Sequence, residues 1–135
     1  MTKPALLAAS LAAALLPSLG QGNLPRYQGK NRLLLVFAPS KSDPRWQKQN
    51  ALLQNSAEAF RNRDLVRLDY LETSGPNSTA VRAHYGIKQG LFRVLLIGKD
   101  GHVASGSPTP ITVGEITQQI DRMPMRRDEM RRRGR

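Results

Sequence analysis

A serine-rich loop in the first third of the chain carries residue types that could bind an anion. Two serines, a lysine and an arginine lie close together: Ser40, Lys41, Ser42 and Arg45. Asp43 followed by a proline is typical of a helix start, where free backbone N–H groups attract negative charge. The loop therefore predicts a site for a small phosphate, sulfate or carboxylate. The alternative is ordinary capping by Asp43 or Ser42, because Asp43 would itself fill the anion position.

The C-terminus carries a second candidate site, which is rich in arginine. Residues 125–135 contain six arginines: Arg126, Arg127, Arg131, Arg132, Arg133 and Arg135. Guanidinium groups bind phosphate, sulfate and carboxylate groups, so this tail predicts contacts with lipopolysaccharide, another acidic glycan, an anionic membrane surface or nucleic acid. The alternative is a solvated, partly helical tail held by local pairs such as Arg127 with Glu129.

Several classes of chemistry are excluded or disfavoured by the residues that are missing. The chain has no cysteine, which rules out disulfides, thiolate nucleophiles and thiol redox activity of its own. A metal site would need both histidines, His84 and His102, together with a carboxylate. Phosphate-binding, dinucleotide-binding and serine-hydrolase motifs are absent. We therefore predict no metal and no cofactor, and we favour binding over catalysis.

Length, charge and the N-terminal segment suggest one basic, exported domain. The chain has 135 residues and a formal net charge of +11, which favours polyanionic partners. Residues 1–20 predict a signal peptide, because Lys3 precedes an apolar stretch at residues 5–16 that is too short to span a bilayer. The mature protein is then expected to begin near Gln21, in the periplasm or outside the cell. An amphipathic or buried first helix is the alternative.

The first half of the domain reads as a strand, a helix and a second strand. A continuous apolar run at residues 33–38 predicts a buried strand. A helix is expected from Pro44 to about Phe60, since apolar residues recur there at helical spacing. Residues 64–71 then predict a second strand, parallel to the first.

The second half reads as a short helix, a hairpin and a closing helix. The short helix is expected at residues 79–85, and Asp100-Gly101 predicts a hairpin between strands at residues 91–98 and 102–105. Thr112 and Glu115 have the spacing of a capping box at the start of the last helix, which Pro124 is expected to end or kink. This order predicts an α/β, thioredoxin-like domain with a central mixed sheet of about four strands flanked by helices. Its expected divisions are an extended leader at 21–31, the domain at 32–124 and the arginine-rich tail at 125–135.

Three stretches of the sequence carry a resemblance to a known family. RLLLVFAPSKSDPRWQKQNALL, HYGIKQGLFRVLLIGKDGHV and IDRMPMRRDEMRRR resemble short exported bacterial proteins with a domain of unknown function and a thioredoxin-like, peroxiredoxin-like fold. Related domains occur in an animal extracellular-matrix coiled-coil-domain protein and in sushi-repeat-containing proteins. The resemblance implies the fold and no catalytic residue. Thioredoxins carry a CxxC motif between the first strand and the next helix, and residues 39–44 stand there without a thiol.

Two functions from different classes remain open at this point. The first is a non-enzymatic binding module for polyanionic partners or for partners in the envelope or matrix, through the arginine-rich tail. The second is a cysteine-free enzyme or small-anion binder that uses the former redox position at residues 40–45. Export and the scarcity of aromatic stacking residues disfavour nucleic acid as a partner.

Overall fold

A four-stranded mixed sheet organises the domain. A computed structural model describes residues 22–134, so the predicted signal peptide and Arg135 lie outside the described residues. The strands are β1 (Arg32–Ala38), β2 (Leu65–Leu71), β3 (Arg93–Ile97) and β4 (Val103–Ser107). Their order across the sheet is β2-β1-β3-β4. β1 runs parallel to β2, and β3 pairs antiparallel with β4, as the sequence predicts. The structure adds that β1 pairs antiparallel with β3.

Helices cover both faces of this sheet. Within the described residues they are a 3₁₀ helix (Leu24–Tyr27), α1 (Pro44–Leu52), α2 (Ala57–Asn62), α3 (Pro76–His84), α4 (Val113–Asp121) and α5 (Pro124–Arg132). None of the helices between residues 22 and 134 is long and apolar enough to cross a membrane.

The core consists of two apolar layers that share the central strand. All seven residues of β1 are buried, because helices cover both of its faces. Leu34 and Val36 pack on one face with Ile116 and Ile120 of α4. On the other face Leu35 and Phe37 pack with Leu24, Tyr70 and Val81. Each fully buried side chain of this size contributes about 1.5–3 kcal/mol, so aliphatic burial supplies the stability that no disulfide provides here.

The single helix predicted for residues 44–60 is wrong in one respect, because the structure breaks it into α1 and α2. Asn55 adopts a φ of 60°, a left-handed conformation that asparagine tolerates better than most residues. The Ser56 hydroxyl donates a hydrogen bond to the Leu53 carbonyl and stabilises the turn. The break redirects the chain so that Phe60 packs against the same apolar layer as Leu53.

The segment before β1 is not the extended leader that the sequence suggests. Leu24 is buried in the second apolar layer, within the 3₁₀ helix. The Asn23 backbone N–H donates to Asn77 Oδ1 at 3.1 Å, and Tyr70 Oη donates to Asn23 Oδ1 at 3.0 Å. Residues 22–31 therefore fold back onto the sheet, since burying Leu24 outweighs the turn-forming character of their glycines and proline.

The start of α4 agrees with the prediction from the sequence, whereas the residues after α4 do not. The capping box is confirmed: the Glu115 backbone N–H donates to Thr112 Oγ1 at 3.1 Å, and the Thr112 N–H donates to Glu115 Oε1 at 3.2 Å. α4 ends at Asp121, and Pro124 opens a new helix instead of ending the domain. Proline fits that position because the first helical N–H needs no partner. The residues assigned to a tail thus form α5, which packs on the domain through buried Arg126 and Glu129.

Candidate functional site

An aspartate within the serine-rich loop caps the following helix. Asp43 is the N-cap of α1 and accepts a hydrogen bond from the Arg45 backbone N–H at 2.9 Å. The Arg45 guanidinium donates two hydrogen bonds to the same carboxylate, from Nε to Oδ1 at 3.0 Å and from Nη2 to Oδ2 at 2.7 Å. Nη2 also donates to the Gly90 carbonyl at 3.0 Å. The carboxylate of Asp43 therefore occupies the position at which a bound anion was predicted.

The other residues of this loop add little affinity for an anion. The Ser40 and Ser42 hydroxyls lie 2.8 Å apart and hydrogen bond to each other. Lys41 is exposed to solvent. The hydrogen bonds from the Arg45 side chain hold the pKa of Asp43 at about 2, so at neutral pH the ionised carboxylate neutralises the Arg45 charge that would otherwise attract an anion. The structure brings Ser40, Ser42 and Arg45 together around a cap, not around an open pocket.

Asp43→Ala is expected to lower the free energy of unfolding at pH 7 by about 1 kcal/mol. The substitution removes the helix cap and releases Arg45, and loss of an aspartate cap typically costs this amount. Urea denaturation followed by circular dichroism measures the change. Asp43→Asn keeps a capping oxygen and should lose less than Asp43→Ala; an equal loss in both variants would show that the cap hydrogen bond carries none of the effect.

The arginines of the predicted tail fall into two groups. Arg126 is only 2% exposed, and it donates from Nε to Asp121 Oδ1 at 3.0 Å and from Nη1 to the Asn62 carbonyl at 3.0 Å. Arg126 therefore holds α5 against the domain and does not face a partner. Arg133 donates to the same Asn62 carbonyl at 2.9 Å but remains exposed. Arg135 lies outside the described residues.

The outward face of α5 keeps the exposed arginines. Arg127 and Arg131 are one helical turn apart, and Arg132 follows on the same outward side. Arg131 pairs with Asp128, which is the acidic residue of this face. Arg61 and Glu58 of α2 line a shallow depression together with Arg133. We call the exposed residues Arg127, Arg131 and Arg132 the α5 basic surface.

A buried ion network that the sequence analysis does not predict fixes α5 to the sheet. Both terminal nitrogens of Arg32 donate to Glu129, with distances of 3.2 Å to Oε1 and 3.1 Å to Oε2. Lys99 Nζ donates to Glu129 Oε2 at 2.7 Å and to Asp64 Oδ2 at 2.9 Å. Arg32 also donates to the Arg63 carbonyl at 2.9 Å and is 1% exposed. An arginine at the start of an apolar strand was the one available signal that a buried partner is needed.

A cavity of about 270 Å³ opens beside this network, between the β3–β4 hairpin and the start of α5. Its polar lining consists of Arg32, Lys99, Asp100 and His102, and its apolar lining comes from β4, the α4–α5 connection and the start of α5. Its rim includes Val103 and Met125, which are 49% and 50% exposed. No sequence motif indicates this cavity, because its lining comes from distant parts of the chain.

The histidines do not approach each other as a metal site would require. His84 lies at the end of α3 with its ring against Tyr85, and His102 follows the hairpin turn, 3.4 Å from the Asp100 carboxylate. Among residues 22–134 no group of three or more histidine and carboxylate side chains is arranged to hold a metal ion.

Comparison with known proteins places the chain in a family. The model of a domain of unknown function, DUF4174, matches residues 23–129. The chain belongs to the DUF4174 family. Coiled-coil domain-containing protein 80 of Danio rerio is 29% identical over 135 residues, which cover 79% of this chain. The match spans 15% of that much longer protein.

Solved structures confirm the predicted fold of this DUF4174 domain. A reduced 2-Cys peroxiredoxin of Plasmodium vivax matches with a TM-score of 0.59 and 17% identity, over 78% of this chain and 83% of that chain. A mitochondrial 2-Cys peroxiredoxin of Plasmodium falciparum matches with a TM-score of 0.55 and 16% identity, over 71% and 77% of the two chains. The domain is thioredoxin-like and cysteine-free, so the likeness is one of fold. Export and the relation to sushi-repeat proteins stay predictions.

Proposed function

We propose that this DUF4174 domain is a non-enzymatic binding module that holds an acidic glycan on its α5 basic surface, in the periplasmic or extracellular setting that residues 1–20 predict. The observation that carries the proposal is the outward placement of Arg127, Arg131 and Arg132 on a helix whose inner face is fixed to the domain. A fixed helix presents its guanidinium groups in one arrangement, which lowers the entropy cost of binding.

Internal ion pairs leave the surface with an excess of positive charge. Most of the carboxylates within residues 22–134 are engaged by an arginine or lysine of the same domain, among them Asp43, Asp64, Asp69, Glu72, Asp121 and Glu129. Since the formal net charge is +11, the cations without such partners dominate the exterior. An extended polyanion can contact several of them at once.

An acidic glycan fits this surface, and the export that residues 1–20 predict disfavours nucleic acid. Arginine forms paired hydrogen bonds with sulfate and carboxylate groups, and the α5 basic surface offers three such side chains. A membrane-binding surface would also present several apolar residues for insertion, whereas α5 exposes one large apolar side chain, Met125, beside the polar Arg127, Arg131 and Arg132. Binding at residues 40–45 is disfavoured, because Asp43 fills that position.

Heparin serves as the probe for this proposal. Arg127, Arg131 and Arg132 are changed together to Gln, and the matched control changes three exposed cations elsewhere, Arg26, Lys30 and Lys48, to Gln. Both variants lose the same charge. We expect the α5 variant to weaken heparin binding by tenfold or more (about 1.4 kcal/mol) and to reduce the salt dependence by about one unit of slope per lost contact. The control variant should keep most of the heparin affinity and most of its salt dependence.

The same titrations with DNA and with anionic vesicles distinguish the partner classes. Equal weakening by the two triple variants would mean that heparin senses net charge alone, which would overturn the proposal. If DNA or vesicles bind more tightly than heparin, with the same dependence on α5, the α5 basic surface is the binding site but its partner is not a glycan.

A further inference from the structure

The outer edge of β4 is an unpaired edge of the sheet. Within residues 22–134 the sheet ends at β4, which pairs with β3 on one side and with no strand on the other. A groove runs along this edge and shares no residue with the α5 basic surface. We propose that the edge and the groove bind an extended, acidic segment of a partner protein, which adds to the sheet as a fifth strand beside β4.

β4 lacks the residues that commonly keep an edge strand from pairing with another chain. Charged side chains and prolines serve that purpose in many sheets. The opposite edge strand, β2, carries Arg67 and Asp69, which form an ion pair. β4 has the sequence Val-Ala-Ser-Gly-Ser, with no charge and no proline. A bulge at Ala104 interrupts its pairing with β3, but the strand continues through it. Of the two edges, β4 is therefore the one that accepts a further strand.

Two adjoining depressions form the groove between β4 and the α4–α5 connection. The first is the cavity of about 270 Å³, whose apolar wall includes the half-exposed Val103 and Met125. The second is an open depression lined by Ala104, Ser105, Gln119, Arg122 and Met123. The Ser105 hydroxyl donates a hydrogen bond to Gln119 Oε1 of α4, so the helix is held beside the strand and the groove exists before a partner binds.

An extended chain matches the repeat of this groove. Successive side chains of a strand point to opposite faces, so every second side chain of a bound segment enters the groove, about 7 Å from the one before. The cavity lies at Val103 and the second depression at Ser105, which are two residues apart on β4. One apolar side chain therefore fills the cavity, and the next side chain on that face lies beside Arg122.

Charge favours an acidic segment over a second copy of this chain. Arg122 is exposed and has no ion-pair partner among residues 22–134. A carboxylate in the second depression would gain a charge-assisted hydrogen bond from it. Two copies of this chain would each bring a formal net charge of +11 and repel one another, whereas an acidic partner is attracted.

Titration of the full chain with the synthetic peptide Thr-Glu-Thr-Leu-Thr-Glu-Thr tests the proposal. Glutamate stands two positions from leucine on both sides, so the peptide fits the groove in either strand direction. We expect saturable binding, with amide hydrogen exchange in residues 103–107 slowed by about tenfold or more at saturation. Serine in place of the leucine should weaken binding by about tenfold or more. Lysine in place of both glutamates should weaken it by about fivefold or more.

A charge reversal in the groove locates the bound peptide. Arg122→Glu should invert the preference, so that the lysine peptide binds more tightly than the glutamate peptide. Arg61→Glu, at an exposed position of α2, has the same net charge and should keep the preference for glutamate.

Four results would each overturn the proposal. They are absence of saturation, equal affinity for the leucine and serine peptides, unchanged hydrogen exchange in residues 103–107, and the same shift of preference in both charge variants. Dimerisation of the peptide-free chain with protection of residues 103–107 would also overturn it, because a second copy would then occupy the edge of β4.

Discussion

Glu129→Gln is expected to lower the free energy of unfolding by about 3 kcal/mol at pH 7. Glu129 is the shared acceptor of Arg32 and Lys99, and its side chain is 8% exposed. Glutamine keeps the shape but removes the charge, which leaves the Arg32 guanidinium buried beside a neutral amide. Removing one partner of a buried ion pair typically costs about 3–5 kcal/mol.

Urea denaturation of the full chain measures this change, with Glu58→Gln as the matched control. Glu58 is exposed on α2, so its substitution should change the free energy of unfolding by less than about 0.5 kcal/mol. Replacing Arg32 and Glu129 together by methionine should cost less than Glu129→Gln alone, because no unpaired charge is then buried. A Glu129→Gln protein as stable as the Glu58→Gln protein would contradict the assignment of Glu129 as the anchor of α5.

Acidification from pH 5 to pH 2 is expected to remove about 3 kcal/mol of stability through Glu129. Burial raises the pKa of this carboxyl, but the hydrogen bonds from Arg32 and Lys99 lower it by a larger amount. The resulting pKa is about 2, compared with an ordinary value of 4.5. The unfolded chain therefore binds the proton more tightly than the folded chain. The stabilisation is complete above about pH 5 and is lost as the pH falls through the folded pKa of about 2. Each pKa unit corresponds to about 1.4 kcal/mol.

Denaturation curves recorded between pH 6 and pH 2.5 test this dependence, with Glu129→Gln as the reference. Asp43 and Asp121 also have lowered pKa values, so the reference protein keeps part of the slope. The unchanged protein should lose stability more steeply than the reference below about pH 4. Parallel curves for the two proteins would show that the Glu129 proton is not linked to folding.

The candidate site shows which of its features local sequence patterns can predict. The sequence places a helix start at residues 43–45 and offers both a bound anion and a capping aspartate as explanations. The structure selects the cap, because the Arg45 side chain turns back onto Asp43 and reaches the Gly90 carbonyl 45 positions away. Likewise, Arg126 and Arg127 look equivalent in the sequence, yet one is buried against Asn62 and Asp121 and the other faces solvent.

By itself the sequence determines those features of this protein that depend on neighbouring residues or on composition. The apolar run of β1, the capping box at Thr112, the Asp100-Gly101 hairpin and the absence of thiols all follow from residues a few positions apart. Tertiary structure decides the rest. The break at Asn55 rests on packing of Phe60, and the ion pair of Arg32 with Glu129 joins residues 97 positions apart. Such contacts depend on where the folded sheet brings α5, which no local periodicity encodes.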